Sequence, residues 1–173
     1  MTSTVSANQY LMEQVLSDAR RLKAVENTTL AIAKNDQRFQ PLAAIAATAF
    51  DAPVAQVTLM GDDTQWFKAS IGFDIAESGT NTSFCAHAIA VPELPLVVYD
   101  TFEDDFFSKN PFVANPPHVR FYAGYPIIYG GEKVGTVCVY DFQPREVMTA
   151  VQKKVLVEVS QRATELILII KGD

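Results

Sequence analysis

Apolar residues recur every three to four positions in three stretches of the chain, which is the spacing of a helix with one buried face. The first stretch predicts a helix from Gln9 to about Ala33, and the second predicts one from about Gln40 to Phe50. The third predicts a long last helix from Met148 to Lys171. The Asp51-Ala52-Pro53 segment ends the second helix, because a proline disfavours helical backbone in the residue before it.

The middle of the chain alternates between apolar and polar residues with the two-residue period of strands. Two pairs of such runs are joined by short turns, Gly61-Asp62-Asp63 in the first pair and Gly130-Gly131 in the second. Strands joined by so short a turn must be antiparallel. Thr82 or Ser83 is suited to cap a short helix that follows. The predicted strands cover residues 54–60, 65–70, 96–100, 119–129 and 133–142.

The segment from Thr101 to His118 is long and irregular, with four phenylalanines among three prolines. Long irregular connections in compact domains are often lids or binding loops. Helices that bracket a mostly antiparallel sheet give an α+β fold. The 173 residues are typical of one domain, and no linker-like stretch divides them, so we expect one folded unit.

Charge and hydropathy argue against two kinds of partner. The net charge of −6 repels a phosphate backbone, and lysines and arginines are scattered, so we expect no nucleic-acid partner. No apolar run is long enough to cross a bilayer and the N-terminus lacks signal-peptide features, so we expect no membrane partner and a cytoplasmic location. In that compartment Cys85 and Cys138, far apart in the sequence, are expected to be free thiols.

Four strings of residues stand out against this background. They are Asp63-Thr-Gln-Trp-Phe-Lys68, Thr82-Ser-Phe-Cys-Ala-His-Ala-Ile89, His118-Val-Arg-Phe-Tyr-Ala-Gly124 and Gly135-Thr-Val-Cys-Val-Tyr-Asp141. With the order of elements, they resemble the GAF domains of bacterial sensor kinases and cyclic-dinucleotide enzymes, over about Phe39 to Ile170. The Ser-Phe-Cys-Ala-His-Ala-Ile string is the most specific part of the resemblance.

The resemblance implies a GAF-like central antiparallel sheet of five to six strands. The N- and C-terminal helices would lie on one face, and a short helix plus the long loop would cover a small-molecule pocket on the other. Residues 1–38 would then be an N-terminal helical segment for dimerisation and signalling, and residues 39–173 the GAF domain with its C-terminal helix. Such helices often pair across a two-fold axis in the family, so we expect a homodimer through Gln9–Ala33 and Met148–Ile170.

Polar and aromatic residues near the implied pocket are the candidates for ligand binding. Strand alternation places Arg120 and Tyr122 on one face, and an arginine there could hold a carboxylate or phosphate through two hydrogen bonds. The alternative for Arg120 is an ion pair with Asp100 or Asp141 that ties the sheet to the long loop. The candidate pocket residues are Trp66, Phe84, Cys85, His87, Asp100, Phe107, Arg120, Tyr122 and Asp141.

The cysteines and histidines predict neither catalysis nor a bound metal. A helix N-terminus makes a thiol more nucleophilic, but Cys85 and His87 are two positions apart and point about 200° away from each other on a helix. A nucleophile needs a base within hydrogen-bond reach. Cys138 lies between two valines, as in a buried strand. Metal ligands would have to cluster, so we expect no metal, no bilin chromophore and no other cofactor.

The sequence therefore predicts a non-enzymatic sensory GAF module that binds a small molecule and signals through its terminal helices to a downstream protein. A first alternative is a ligand-free module for dimerisation or protein interaction, with the pocket filled by Phe and Tyr side chains. A second alternative is a thiol-dependent reductase of the free methionine-R-sulfoxide reductase type, which needs a nucleophilic and a resolving cysteine.

Overall fold

In the computed structural model, which describes residues 4–32, 36–91 and 94–172, a six-stranded antiparallel sheet lies between two layers of helices. Its strands are β1 (Val54–Met60), β2 (Thr64–Ile71), β3 (Glu77–Gly79), β4 (Leu96–Val98), β5 (Phe121–Tyr129) and β6 (Glu132–Asp141). The helices are α1 (Thr4–Ser17), α2 (Ala19–Ala31), α3 (Gln40–Phe50), α4 (Phe84–Ala90), α5 (Pro111–Ala114) and α6 (Ala150–Lys171). The strand order is β3-β2-β1-β6-β5-β4. The predicted α+β fold is confirmed.

Alternation along the two central strands gives the sheet one aliphatic face and one polar, aromatic face. β1 pairs with β6 so that Gln56 is opposite Cys138 and Thr58 is opposite Thr136, whose hydroxyls lie 2.9 Å apart. The aliphatic face carries Ala55, Val57, Leu59, Val137 and Val139, and the polar face carries Gln56, Thr58, Thr136, Cys138 and Tyr140. This asymmetry separates the structural core from the candidate site.

The aliphatic face is covered by α2, α3 and α6. The buried residues of α6, Leu156, Val159, Ala163 and Ile167, recur at the three-to-four spacing of one helix face. Thr149 caps this helix, because its hydroxyl accepts a hydrogen bond from the Gln152 amide at 3.1 Å while the Gln152 side chain accepts one from the Thr149 amide at 2.9 Å. The helix therefore begins at Ala150.

The polar face is covered by α4 and by the segment from Thr101 to His118, and α1 packs on α4. Met12 and Leu16 of α1 are buried in the same cluster as Phe84 and Ile89 of α4. The N-terminal helices are thus divided between the two layers, with α1 on the polar face and α2 on the aliphatic one. The segment at 101–118, predicted to be irregular, contains α5 and a turn of 3-10 helix at Phe107–Lys109.

The single helix expected over residues 9–33 is instead two helices, α1 and α2. Residue 33, the last of that prediction, lies outside the described residues. α1 ends at Ser17, and the Asp18 carboxylate accepts a hydrogen bond from the Arg21 amide at 3.0 Å, which starts α2. The Arg21 side chain is buried at this corner, where its guanidinium donates to backbone carbonyls of both α1 and the sheet. These acceptors are Val15, Leu16, Met60, Gly61 and Lys133.

The other sequence-based elements match the structure to within a few residues. The helix at Gln40–Phe50 and the strand at Val54–Met60 have the predicted bounds. Strand β3 was not predicted, because three residues are too few to show alternation.

Candidate functional site

An aromatic cluster fills the space between the polar face of the sheet and the 101–118 segment. The Phe84 ring stacks on Phe107 with centroids 4.7 Å apart and on Tyr122 at 5.1 Å. Tyr140 contacts both Phe84 and Tyr122, with centroids at 5.9 and 5.1 Å. Three predicted candidates, Phe84, Phe107 and Tyr122, therefore belong to one packed group.

Ser83 fixes the start of α4 above this cluster. Its hydroxyl accepts a hydrogen bond from the Ala86 amide at 3.2 Å, which confirms it as the N-cap. The same hydroxyl donates to Oε1 of Gln65 on β2 at 2.5 Å. The first turn of α4 is thus tied to the sheet, and Phe84 and Cys85 are both buried in the cluster.

Two thiols that are 53 positions apart in the sequence are in contact at the centre of the cluster. The Cys85 and Cys138 sulfurs lie 3.6 Å apart, and both side chains are fully buried. Both are free thiols, as predicted. The Tyr122 hydroxyl donates a hydrogen bond to Cys85 Sγ at 3.3 Å, and the Tyr140 hydroxyl lies 3.8 Å from the same sulfur. Cys85 therefore has three hydrogen-bonding neighbours, Cys138, Tyr122 and Tyr140, in an otherwise apolar cluster.

These contacts make the two thiols chemically different. Burial raises the pKa of Cys85, but hydrogen bonds from Cys138, Thr136, Tyr122 and Tyr140 outweigh it and lower that pKa to about 6. Burial also raises the pKa of Cys138, and the neighbouring Cys85 raises it further. Cys85 is therefore the first of the pair to lose its proton.

Gly124 allows the Tyr122 hydroxyl to reach Cys85. Tyr122 pairs with Tyr140 across β5 and β6, and Gly124 pairs with Cys138. A Cβ atom on residue 124 would lie 2.1 Å from the Tyr122 hydroxyl oxygen and 2.6 Å from its Cζ. The tyrosine ring thus lies directly over the glycine, and any side chain there would displace it.

His87 belongs to the same helix but faces a different partner. Its ring meets the edges of Phe106 and Phe107, with centroids at 4.6 and 5.2 Å. Burial lowers the pKa of His87 to about 4, against the opposing effect of Asp104, so the ring is neutral at physiological pH. The arrangement agrees with the expectation that Cys85 and His87 do not share one task.

A cavity of about 60 Å³ opens beside the aromatic cluster. It is smaller than the roughly 300 Å³ at which ordinary ligand pockets begin. Phe112, 42% exposed, contributes to its rim, and none of the described residues that line it is charged. Its lining comprises Gln56, Gln65, Phe67, Phe73, Ile75, Ser78, Thr82, Ser83, Phe84, Phe112, Val119 and Tyr140.

Arg120 does not line this cavity. Its guanidinium binds the Asp100 carboxylate through two hydrogen bonds of 3.1 and 2.9 Å and lies 3.9 Å from the centroid of the Phe102 ring. This hydrogen-bonded pair lowers the pKa of Asp100 and raises that of Arg120. Of the two roles considered for Arg120, the structure has the ion pair that ties the sheet to the 101–118 segment.

Two further candidates lie away from the cavity. Trp66 packs against the aliphatic core, because Gln65 and Phe67 on either side of it take the cavity face. Asp141, the last residue of β6, accepts hydrogen bonds of 3.1 and 2.7 Å from the Arg145 side chain. Neither side chain contributes to the aromatic cluster.

Five side chains that the sequence analysis left out belong to the site. Tyr140 and Cys138 alternate with valines on β6, and Gln56 alternates in the same way on β1. That pattern of a polar residue at every second position could have identified the polar face of the sheet. The five are Gln56, Gln65, Phe67, Cys138 and Tyr140.

Two negative findings concern the described residues. Within residues 4–32, 36–91 and 94–172, no group of three or more His, Cys, Asp or Glu side chains could hold a metal ion. Over the same ranges, no helix is both apolar enough and long enough to span a membrane.

Comparison with known proteins places this architecture in a family. A family model described as GAF domain matches residues 12–166. A cyclic di-GMP phosphodiesterase of Pseudomonas aeruginosa is 39% identical over 111 residues, which are 64% of this chain and 19% of that protein. The GAF domain of an Acinetobacter phosphoenolpyruvate-protein phosphotransferase has a TM-score of 0.63 at 12% identity, covering 99% of this chain and 96% of that one. The type II free methionine-R-sulfoxide reductase of Thermoplasma acidophilum has a TM-score of 0.62 at 12% identity, covering 83% and 96%.

The chain belongs to the GAF domain family, whose members are commonly sensory or regulatory modules. The two solved structures show a common fold and nothing more at 12% identity. The chain spans 19% of the length of the phosphodiesterase, so that protein's activity does not transfer to it.

Proposed function

We propose that this GAF domain is a non-enzymatic regulatory module that binds an uncharged, planar small molecule in the cavity beneath the 101–118 segment. The observation that carries the proposal is the lining of that cavity. Gln56, Gln65 and Ser83 contribute polar side chains to it, and Phe67, Phe73, Phe84 and Phe112 contribute aromatic rings. A few polar groups among aromatic side chains are typical of small-molecule sites.

The absence of charge in the described lining favours an uncharged ligand. A buried anion would lose its hydration without gaining a cationic partner, and that loss costs several kcal/mol. Arg120, the candidate for gripping a phosphate or carboxylate, is already engaged by Asp100. The aromatic side chains of Phe67, Phe73 and Phe112 in the lining favour a ligand with a ring that can stack on them.

The size of the cavity links binding to movement. At about 60 Å³ it holds less than a planar heterocycle requires, so a ligand has to displace Phe112 and the segment that carries it. A ligand shifts such an equilibrium only through its different affinities for the two states. α4 contacts α1 through the cluster that contains Met12 and Leu16. We propose that this contact carries the displacement to α1, and from α1 to a downstream signalling protein.

A thermal-shift screen tests the proposal. Neutral heteroaromatic compounds such as free nucleobases are compared with their phosphorylated counterparts. At a ligand concentration about a hundred times Kd, binding adds about 2.7 kcal/mol of stability, or roughly 5 to 10 °C in Tm for a domain of this size. Gln56→Leu should abolish the shift, because it removes a polar group from the cavity wall. Phe102→Ala, which lies in the 101–118 segment but outside the cavity, should retain the shift.

A second candidate function is a ligand-free interaction module. The stacked rings of Phe84, Phe107 and Tyr122 favour it, because they already occupy part of the space beneath the 101–118 segment. A screen in which no neutral compound raises Tm would contradict the binding proposal and leave this candidate in its place.

The non-enzymatic part of the proposal has its own test. The Cys85 sulfur is fully buried and the His87 ring faces Phe106 and Phe107, so the base that a thiol nucleophile requires is not supplied by His87. Purified protein should therefore show no reduction of free methionine sulfoxide in the presence of dithiothreitol. Turnover that disappears in Cys85→Ser would make the chain a reductase.

A further inference from the structure

We propose that Cys85 and Cys138 form an oxidisable dithiol site, in which a small uncharged hydroperoxide converts the two thiols into a Cys85–Cys138 disulfide. The proposal stands on the contact between the two sulfurs and on the cavity to which Tyr140 connects them. It is independent of the ligand proposed above, since a chain that binds no ligand would still contain this pair of thiols.

Proximity is the first argument. The sulfurs are 3.6 Å apart, and a disulfide brings them to about 2.05 Å. Cys85 lies in the first turn of α4 and Cys138 in the middle of β6, two elements that pack directly on each other. The fold therefore holds both thiols together before any oxidant arrives, which makes bond formation between them an intramolecular step with a high effective concentration.

The difference between the thiols is the second argument. A thiolate is the form that attacks a peroxide, and Cys85 is the thiol that ionises first. The Tyr122 hydroxyl donates to its sulfur at 3.3 Å and is positioned by the close approach to Gly124. The Cys138 sulfur lies 3.6 Å from that of Cys85, and its raised pKa keeps it protonated at that stage. The site thus has one attacking and one resolving thiol.

Access is the third argument. Tyr140 lines the cavity, and its hydroxyl lies 3.8 Å from Cys85 Sγ. The Tyr140 side chain therefore connects the cavity to the sulfurs, and a peroxide in the cavity has to pass it to reach Cys85. A cavity of about 60 Å³ with no charged side chain in its described lining admits hydrogen peroxide and excludes oxidised glutathione, which is large and charged.

The reaction balances with the peroxide as the only oxidant. The Cys85 thiolate attacks one peroxide oxygen, the O–O bond breaks, an S–O bond forms, and the departing hydroxide takes up the released thiol proton as water. Cys138 Sγ then attacks the sulfenic sulfur of Cys85. The S–S bond forms as the S–O bond breaks, and the second water leaves with the Cys138 proton. Two thiols lose two electrons, and the peroxide gains them.

The test uses the whole 173-residue chain. Reduced protein is treated with hydrogen peroxide, unfolded in a thiol-alkylating reagent, and analysed by intact mass and peptide mapping. We expect a monomer that has lost two hydrogens, takes up no alkyl group and yields one cross-linked peptide containing both cysteines. Oxidised glutathione at the same concentration should produce little of it. Two thiols that remain alkylatable, or a disulfide between two chains, would overturn the proposal. The experiment uses the wild-type chain, so its outcome does not depend on whether a variant folds.

Variants assign the roles of the groups. Cys138→Ser should stop at a sulfenic acid on Cys85, which dimedone labels once the oxidised protein is unfolded, and Cys85→Ser should leave Cys138 unlabelled. Labelling of Cys138 in Cys85→Ser as fast as that of Cys85 in Cys138→Ser would refute the assignment. In Tyr122→Phe, one lost hydrogen bond raises the thiol pKa by about one unit, so the thiolate fraction below that pKa falls about tenfold. A thiolate of higher pKa is intrinsically more nucleophilic, and this raises its rate of attack about threefold. Oxidation of Tyr122→Phe at pH 5 should therefore be about threefold slower than that of the wild type. An unchanged rate would show that the hydroxyl does not activate Cys85.

Discussion

The Tyr122 hydroxyl depends on the absence of a side chain two residues away. Residues 122 and 124 share one face of β5, so the Tyr122 ring extends over the position where a Cβ of residue 124 would be. The ring in turn carries the hydroxyl that contacts Cys85. Packing and chemistry are coupled through this one glycine.

We expect Gly124→Ala to lower the free energy of unfolding by about 1 to 3 kcal/mol, because the new methyl group forces the Tyr122 ring out of its place. Urea denaturation measures the change. In the double variant Gly124→Ala/Tyr122→Phe, the loss should be smaller than the sum of the two single losses, since the hydroxyl that makes the 2.1 Å contact is gone. Losses that add within about 0.5 kcal/mol would contradict this explanation.

His87 makes stability depend on pH through its burial. Its pKa falls from 6.5 to about 4 in the folded chain, so between these values the unfolded chain binds a proton that the folded chain does not. The resulting stability is complete above pH 6.5 and is lost as the pH falls toward 4. The difference corresponds to about 3 kcal/mol.

We expect His87→Gln to remove this contribution, so that its free energy of unfolding falls by about 3 kcal/mol less than that of the wild type between pH 6.5 and 4. Asp36 and Asp100, whose pKa values are lowered by hydrogen bonds from Arg38 and Arg120, are present in both proteins and cancel in the comparison. Parallel curves for His87→Gln and the wild type would show that His87 is not the source.

Part of the site could be predicted from single residues and part could not. Phe84 and Cys85 were identifiable, because a serine cap followed by an apolar run predicts a short helix that packs on the sheet. The contact between Cys85 and Cys138 depends on where α4 docks over β6, and no local pattern encodes that. Trp66, one of the pocket candidates, packs against the aliphatic core, since alternation tells which residues share a face but not which face borders the pocket.

At the scale of elements, Arg21 joins α1, α2 and the sheet at one corner. Its guanidinium donates to the last carbonyls of α1, including Leu16 at 2.9 Å, and to Met60 and Gly61 at the end of β1 at 2.6 and 2.8 Å. An α-helix leaves its final carbonyls without partners, and Arg21 supplies donors for two of them. The sequence gives little sign of this role, because Arg21 lies among other basic residues in a helix that looks solvent-exposed.

Replacement of Arg21 should therefore destabilise the fold far more than replacement of its neighbour Arg20. We expect Arg21→Ala to cost about 3 kcal/mol in the free energy of unfolding, because several buried carbonyls lose their donors. Arg20→Ala, at an exposed position on the same helix, should change it by less than about 0.5 kcal/mol. Equal effects of the two variants in urea denaturation would show that the buried contacts of Arg21 contribute nothing.

At the scale of the whole molecule, the terminal helices leave apolar side chains exposed. Leu30 of α2 is 81% exposed and Ile169 of α6 is 71% exposed. The Lys171 ammonium donates to the Asn27 carbonyl at 3.3 Å, so the C-terminal parts of these two helices lie side by side. The division at about residue 39 and the homodimer through residues 9–33 and 148–170 remain predictions. Exposed apolar side chains on adjoining helices are what a two-fold interface would bury.

We expect sedimentation equilibrium at micromolar concentration to give the mass of a dimer. Leu30→Glu/Ile169→Glu should give a monomer with an unchanged far-UV circular dichroism spectrum, because charges placed opposite their symmetry mates repel each other without disturbing the buried core. Lys153→Glu tests whether added negative charge alone is enough to separate the protomers. Residue 153 lies about 160° around α6 from Ile169, so this variant should remain a dimer. A monomeric wild type would exclude the interface, and signalling would then have to pass through α1 within a single chain.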